Sequence, residues 1–224
     1  MFIVLEGLDG AGKSTQIKLL ENYFENRNRR NKYLHFPRFD TPFFGEMIAK
    51  FLRGDFGNIN DVNPYIVALL FAQDRHDAAQ TVRNWLDSDY NVIADRYVYS
   101  NIGYQCAKIE NREERNALRN WIFDLEYSYF KIPKPDISIF LDVPFTFTEN
   151  RLNEVRNGND RDYLKGKQDI HEENIELQRR VREIYLEQKK TDEKFKIIDC
   201  TLENGDMLAP QQISEQIIKN LPDM

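Results

Sequence analysis

The residues best able to do chemistry stand in one short run, Gly7-Leu8-Asp9-Gly10-Ala11-Gly12-Lys13-Ser14-Thr15. It fits the pattern G-x-x-x-x-G-K-[ST], with an apolar segment before it and a helical pattern after it. Glycines let backbone N–H groups turn toward an anion without a Cβ clash. A helix starting near Gly12 adds the positive end of its dipole. Lys13 has the reach for β- and γ-phosphates, and the Ser14 hydroxyl suits Mg²⁺. The run therefore predicts a site for a nucleoside triphosphate built from Gly7, Gly10, Ala11, Gly12, Lys13, Ser14 and Thr15.

Three further segments carry an arginine beside groups that could use it. Asp95-Arg96-Tyr97-Val98-Tyr99-Ser100-Asn101-Ile102-Gly103-Tyr104-Gln105 follows an apolar run. An Asp closing a buried strand could hold Mg²⁺ through water or fix the arginine after it. Phe36-Pro37-Arg38 follows another such run. Phe71 and Arg75 are spaced i and i+4, on one face of a helix, where a ring can stack a base while the guanidinium donates to a base carbonyl. Singly, each has a bland explanation: a surface ion pair, a core ring, a solvated cation. Together they bring three arginines to one end of the molecule.

The elements that must position these residues are legible as alternating patterns. Phe2–Leu5, Tyr33–Phe36, Asn91–Ala94, Ile137–Leu141 and Phe195–Ile198 are brief and apolar on nearly every residue, as strands buried on both faces are. Between them lie helical patterns over about Gly12–Asn26, Phe44–Leu52, Pro64–Leu86, Glu113–Phe130, Phe145–Asn153, Ile170–Lys189 and Pro210–Asn220. Such alternation predicts an α/β fold, a doubly wound parallel five-stranded sheet flanked by helices, with ligands at the C-terminal ends of the strands. The basic cluster Arg27, Arg29, Arg30 and Lys32 reads as a complement to the dipole at the end of the first helix. Asp55-Phe56-Gly57 reads as a surface turn.

Composition excludes other classes. With 31 Lys and Arg against 37 Asp and Glu, the net charge is −6, which argues against coating nucleic acid or an acidic membrane. The longest apolar run, Tyr65 to Ala72, is too short to span a bilayer, and the N-terminus does not read as a signal peptide. Two cysteines in a chain of 224 residues read as reduced thiols of a cytoplasmic protein. His35, His76 and His171 show no zinc-ligand spacing. A GTPase would carry an Asn-Lys-x-Asp base reader, and Asn31-Lys32-Tyr33-Leu34 is not one.

On Glu6–Thr15, Phe36-Pro37-Arg38, Leu70–Arg75, Asp95–Gln105, Pro133-Lys134-Pro135-Asp136 and Ile197-Ile198-Asp199, the chain resembles the thymidylate kinases of the bacterial type, over almost its whole length. The resemblance implies a single P-loop kinase domain over residues 1–224 with a short lid at about 151–168. It implies transfer of the γ-phosphate of ATP to dTMP, giving dTDP and ADP, in a Mg²⁺-dependent homodimer. Phe71 would stack on thymine, and Arg75 would bond its O4. Arg38 and Arg96 would hold the dTMP phosphate, with Asp9 near the sugar and that phosphate, or helping to position Mg²⁺. Phe36 and Pro37 would line the acceptor site, and Ser100, Asn101, Tyr104 and Gln105 would shape the base and sugar pocket. Asn101 and Tyr104 would crowd the place of a ribose 2′-hydroxyl. Ser14 and Asp95 would serve Mg²⁺.

The segment from Arg151 to Lys167 is polar and rich in arginine, which by itself fits a solvated loop. Phosphoryl transfer needs a cation beyond Lys13 and Mg²⁺ to meet charge on the equatorial oxygens. Some members of the resembled family place an arginine where Gly10 stands here, and others supply it from the lid. This chain is of the second kind, with Arg156 or Arg161, or else Arg151, as the candidate. Asp169 and Glu172 either approach the acceptor or serve as helix N-terminal carboxylates. Two alternatives stay open: another nucleoside monophosphate or deoxynucleoside kinase, and a P-loop NTPase switch without a small acceptor.

Overall fold

A computed structural model of the chain describes residues 1–153, 159–167, 169–172 and 174–222, the side chains of 153 and 159–161 excepted. Five strands form one parallel sheet in the order β2-β3-β1-β4-β5. They are β1 (Phe2–Gly7), β2 (Asn31–His35), β3 (Asn91–Asp95), β4 (Ile137–Asp142) and β5 (Phe195–Asp199). Every strand pair is parallel, with Leu5 of β1 opposite Asp95 of β3 and Gly7 opposite Leu141 of β4. The helices are α1 (Lys13–Glu25), α2 (Phe44–Leu52), α3 (Pro64–Asp87), α4 (Val98–Cys106), α5 (Arg112–Phe123), α6 (Phe145–Asn153), α7 (Ile175–Gln188) and α8 (Pro210–Asn220).

Alternation along the strands divides the core in two. Phe2, Val4, Val92, Ala94 and Phe140 point to one face and pack with side chains of α3, α4, α5 and α7. Ile3, Leu5, Ile93, Ile139 and Leu141 point to the other and pack with Ile17, Leu20 and Phe24 of α1 and Ile213 and Ile217 of α8. Both faces are covered, which is why the strand sequences are apolar throughout. With β1 central, the loops after β1 and β3 open side by side at one end of the sheet.

Several boundaries differ from the sequence reading. The segment 98–106 carried no predicted element, yet it is α4, with every residue buried. A helix enclosed on all sides shows no amphipathic period to read. The single helix expected over 113–130 is α5 followed by a π-helical turn, Asp124–Tyr129. The helix expected from Ile170 begins at Ile175, because the Asn174 side chain accepts from the Leu177 N–H and caps it there. The basic cluster follows α1, which ends at Glu25 with no basic residue inside its last turn. Arg27 instead lies over the Tyr23 ring, Arg30 over the Tyr90 ring, and Lys32 is in β2. Asp55–Gly57 is an exposed turn, as expected.

Candidate functional site

The loop after β1 is shaped by left-handed backbone at Gly10 (φ 78°) and Gly12 (φ 79°), where a side chain would be strained. Gly12 caps α1, so the first N–H groups of that helix face the loop. Lys13 curls over it, with Nζ 3.2 Å from the Leu8 carbonyl and 3.8 Å from Asp95 Oδ1. Burial and the nearby Arg96 push the Lys13 ammonium below its usual pKa, against the pull of Asp95 and Asp9. Ala11 is buried, whereas Ser14 and Thr15 are exposed.

The loop after β3 is tied to β1 twice. The Arg96 N–H donates to the Leu5 carbonyl at 2.9 Å. Glu6, fully buried at the end of β1, accepts from the Tyr97 N–H at 2.9 Å, from the Ser100 hydroxyl at 2.6 Å and from the Tyr185 hydroxyl at 2.9 Å. A carboxylate at the first turn of α4 also complements the helix dipole. Burial pushes the Glu6 carboxyl up, and Ser100 and Arg96 oppose that rise. These ties hold Arg96 in a left-handed conformation (φ 65°), uncommon for a residue with a Cβ and typical of strain kept at a functional site.

Arg96 reaches across to Asp9 at 2.7 Å and also donates to Ser100 Oγ at 3.1 Å. Asp9 further accepts from the Tyr104 hydroxyl at 2.5 Å and from Gln178 at 3.1 Å. Burial opposes the Asp9 charge, but Arg96 and Lys13 outweigh it and hold the carboxyl well below the usual carboxylate range. His171 stacks on Tyr104, with ring centroids 4.7 Å apart. Asp169 accepts from the Tyr163 hydroxyl and the His171 N–H. Burial, then Asp9 and Glu172, push its carboxyl up to about 7.

The opposite wall is α3 with the segment after β2. Phe36 and Pro37 are buried, and Arg38 is fastened to α3: Nε donates to Asp74 at 2.8 Å and Nη2 to Asp77 at 2.6 Å. Phe71 is half-buried, its ring edge-on to Phe51. Arg75 is buried and grips Glu126 of the π-helical turn with two bonds, 2.5 and 2.7 Å. Burial alone would lower the Arg75 guanidinium, but Glu126 outweighs it and holds it above its usual value. Asn101 donates to the same carboxylate, and Gln105 accepts from Lys108.

Asp95 and Lys13, Arg96 and Asp9, and Arg75 and Asn101 are thus brought together as pairs, while Arg38 is spent on acidic partners. Arg156 and the Arg161 side chain, named from sequence, lie outside the described residues. Arg151 lies over the Phe147 ring. Sequence reasoning assigned no role to Glu6, Asp74, Glu126, His171 or Gln178. Two of these left a signal: Glu6 is a lone charge in an apolar strand, and Glu126 continues the stripe Leu118, Ile122 at i+4. A separate cavity of about 650 Å³, lined by Tyr99, Phe123, Tyr127, Arg119 and Lys134 among others, holds none of the residues predicted to act.

Asp95 also bears on a metal ion. Its Oδ1 is buried and without a hydrogen-bond partner. Lys13 and His35 overcome the effect of burial and keep its carboxyl below the usual range. Among the described residues, no group of three or more His, Cys, Asp or Glu could hold a metal ion alone. One ionised carboxylate whose Oδ1 is unpartnered fits Mg²⁺, which keeps several waters and is held largely by substrate phosphates.

Comparison with known proteins agrees with this geometry. The family model described as thymidylate kinase matches residues 5–209. A Thermococcus kodakarensis protein named "Probable thymidylate kinase" is 38% identical over 205 residues, 89% of each chain. The Mycobacterium tuberculosis protein named "Thymidylate kinase" is 33% identical over 187 residues, 84% of this chain and 85% of that one. A solved thymidylate kinase structure from Candida albicans superposes with a TM-score of 0.70 at 27% identity, covering 97% of this chain and 89% of that one. Since the family match runs from the end of β1 to the start of α8 and takes in every segment of the crevice, this chain belongs to the thymidylate kinase family.

Proposed function

We propose that the chain transfers the γ-phosphate of ATP to dTMP, giving dTDP and ADP. The observation that carries this reading is Arg96 held on Asp9 at 2.7 Å, with Lys13 near enough to feel its charge, a fixed cation that would serve between a triphosphate and an anionic acceptor. The acceptor is a phosphate oxygen, largely ionised at neutral pH because its second pKa is about 6. No nucleophilic side chain is required, and the protein supplies alignment, counter-charge and exclusion of water.

In this reading, Gly7, Gly10, Ala11, Gly12, Ser14 and Thr15 cradle the ATP phosphates, and Lys13 swings from the loop carbonyls to the β/γ oxygens. Ser14 and Asp95 would hold Mg²⁺, whose charge draws density from the phosphates when it is bound with ATP. Arg96 and Arg38 hold the dTMP phosphate, Arg38 through the guanidinium edge not given to Asp74 and Asp77. Asp9 aligns Arg96. Phe71 stacks on the base, Arg75 donates to O4, and Phe36, Pro37, Ser100 and Gln105 complete the wall. Tyr104 and Asn101 crowd the 2′ position. The lid at about 151–168 delivers Arg156 or Arg161, or else Arg151, to the transferring phosphoryl group.

The wider reading is a cytoplasmic homodimer with no nucleic-acid or membrane partner. Cys106 and Cys200 are both free and buried, which supports a reducing compartment. Met47, Ile66 and Leu69 are large apolar side chains exposed on α2 and α3, which supports a partner subunit there. The net charge of −6 supports attraction confined to the crevice. Incubation with ATP, Mg²⁺ and dTMP tests the reaction. Equal amounts of dTDP and ADP are expected, whereas ADP without dTDP would mean hydrolysis and would overturn the proposal.

A further inference from the structure

Both amide hydrogens of Asn101 are committed. One goes to the Ala68 carbonyl at 3.0 Å and the other to Glu126 Oε1 at 3.0 Å. Turning the amide over would set its oxygen against two acceptors, so those partners fix its orientation. What remains is Oδ1, buried and without a hydrogen-bond partner, on a residue 2% exposed. An unpaired buried acceptor is costly unless a ligand donor meets it.

The same carboxylate fixes the neighbouring cation. Arg75 Nε donates to Glu126 Oε2 at 2.5 Å and Nη2 to Oε1 at 2.7 Å. Arginine can only donate. One buried carboxylate therefore sets a donor from α3 beside a forced acceptor from α4. The carboxylate comes from the π-helical turn Asp124–Tyr129, where Glu126 is the buried residue. Such turns recur at functional positions in helices.

We propose that Glu126 is a positioning residue that fixes the donor–acceptor polarity of the base-reading wall, so that the wall takes a 4-keto pyrimidine with a protonated N3 and rejects a 4-amino pyrimidine. This rests on dTMP being the acceptor. A thymine or uracil O4 accepts from Arg75 while N3–H donates to Asn101 Oδ1. Cytosine presents the reverse, an amino donor against Arg75 and a bare N3 against Oδ1, and leaves both buried groups unpaired.

The test compares kcat/KM for dTMP and dCMP, with KM for ATP and the thermal midpoint measured alongside. Glu126→Gln puts a donor where Arg75 and Asn101 need acceptors, and it allows Asn101 to invert. The dTMP-to-dCMP ratio is expected to fall at least about tenfold while KM for ATP stays within about twofold. Glu126→Asp, which keeps both acceptors, is expected to retain more of the preference than the Gln variant. Loss of both activities by one factor, with the ratio unchanged, would show a merely structural role and overturn the proposal. Should Glu126→Gln not fold, Asn101→Leu carries the same test, since it removes the forced acceptor and leaves the Arg75–Glu126 pair. An unchanged ratio there overturns the proposal equally. Failure of the wild-type protein to turn over dTMP would defeat the acceptor reading itself, whereas a selective wild type with unselective effects in the variants defeats this inference alone.

Discussion

Arg96 Nη2 donates to Asp9 Oδ1 at 2.7 Å, joining the loop after β3 to the glycine-rich loop after β1. A guanidinium held on one side by a carboxylate and a hydroxyl keeps its planar fork aimed, which an ammonium on a flexible stem cannot do. Arg96→Lys is expected to lower kcat by about 10²–10³ and to change KM for ATP little. Steady-state kinetics on the folded variant check this. An unchanged kcat would remove Arg96 from the transfer step.

Tyr104 has its ring stacked on His171 and its hydroxyl on Asp9 at 2.5 Å, and in the proposed reading it borders the sugar. Fastened at both ends, it cannot move aside for an added hydroxyl. Tyr104→Ala is expected to let a 2′-hydroxyl in, so that the preference for dUMP over UMP falls about tenfold. An intact preference in the variant would place deoxyribose selection elsewhere.

Asp169 ties stability to pH. Its carboxyl is pushed up to about 7, first by burial and then by Asp9 and Glu172. In the unfolded chain the same group titrates near about 4. Between these values the folded state binds more protons than the unfolded one, so this group makes stability decline as pH rises from about 4 to about 7. Asp169→Asn is expected to flatten that decline, read from denaturant midpoints across the window. An unaltered slope would show that Asp169 is not the group responsible.

Much of this was written in the sequence, and the limits have physical causes. The strands were legible because burial on both faces makes them apolar throughout, as Ile3, Val4 and Leu5 show. Lys13 and the glycines were legible because backbone geometry dictates their spacing. Arg75 and Arg96 were legible as cations. Their anchors, Glu126 and Glu6, left a local trace of burial but not of their partners, because each acts across a long sequence separation that no local spacing encodes. Helix α4 hid behind complete burial, and Arg38 proved to be bound by Asp74 and Asp77, partners only the fold brings near.

The lid arginines give a further test. Lys13 and Arg96 are cations paired with Asp95 and Asp9 respectively, and the equatorial charge of a transferring phosphoryl group calls for one more. Alanine at Arg151, Arg156 and Arg161 together is expected to lower kcat by at least about 10³ while nucleotide binding to the cradle persists, as calorimetry with ADP would show. Turnover left intact would take the lid out of the mechanism.

The most direct measurement is ADP release, followed by a coupled assay with ATP and Mg²⁺, across dTMP, dUMP, UMP, CMP, AMP, GMP and thymidine. Release strongest with dTMP, weak with UMP and CMP, and negligible with thymidine, which lacks the anion that Arg96 and Arg38 would hold, is the expected result. Release indifferent to every acceptor would contradict it and would make the chain a nucleotide hydrolase.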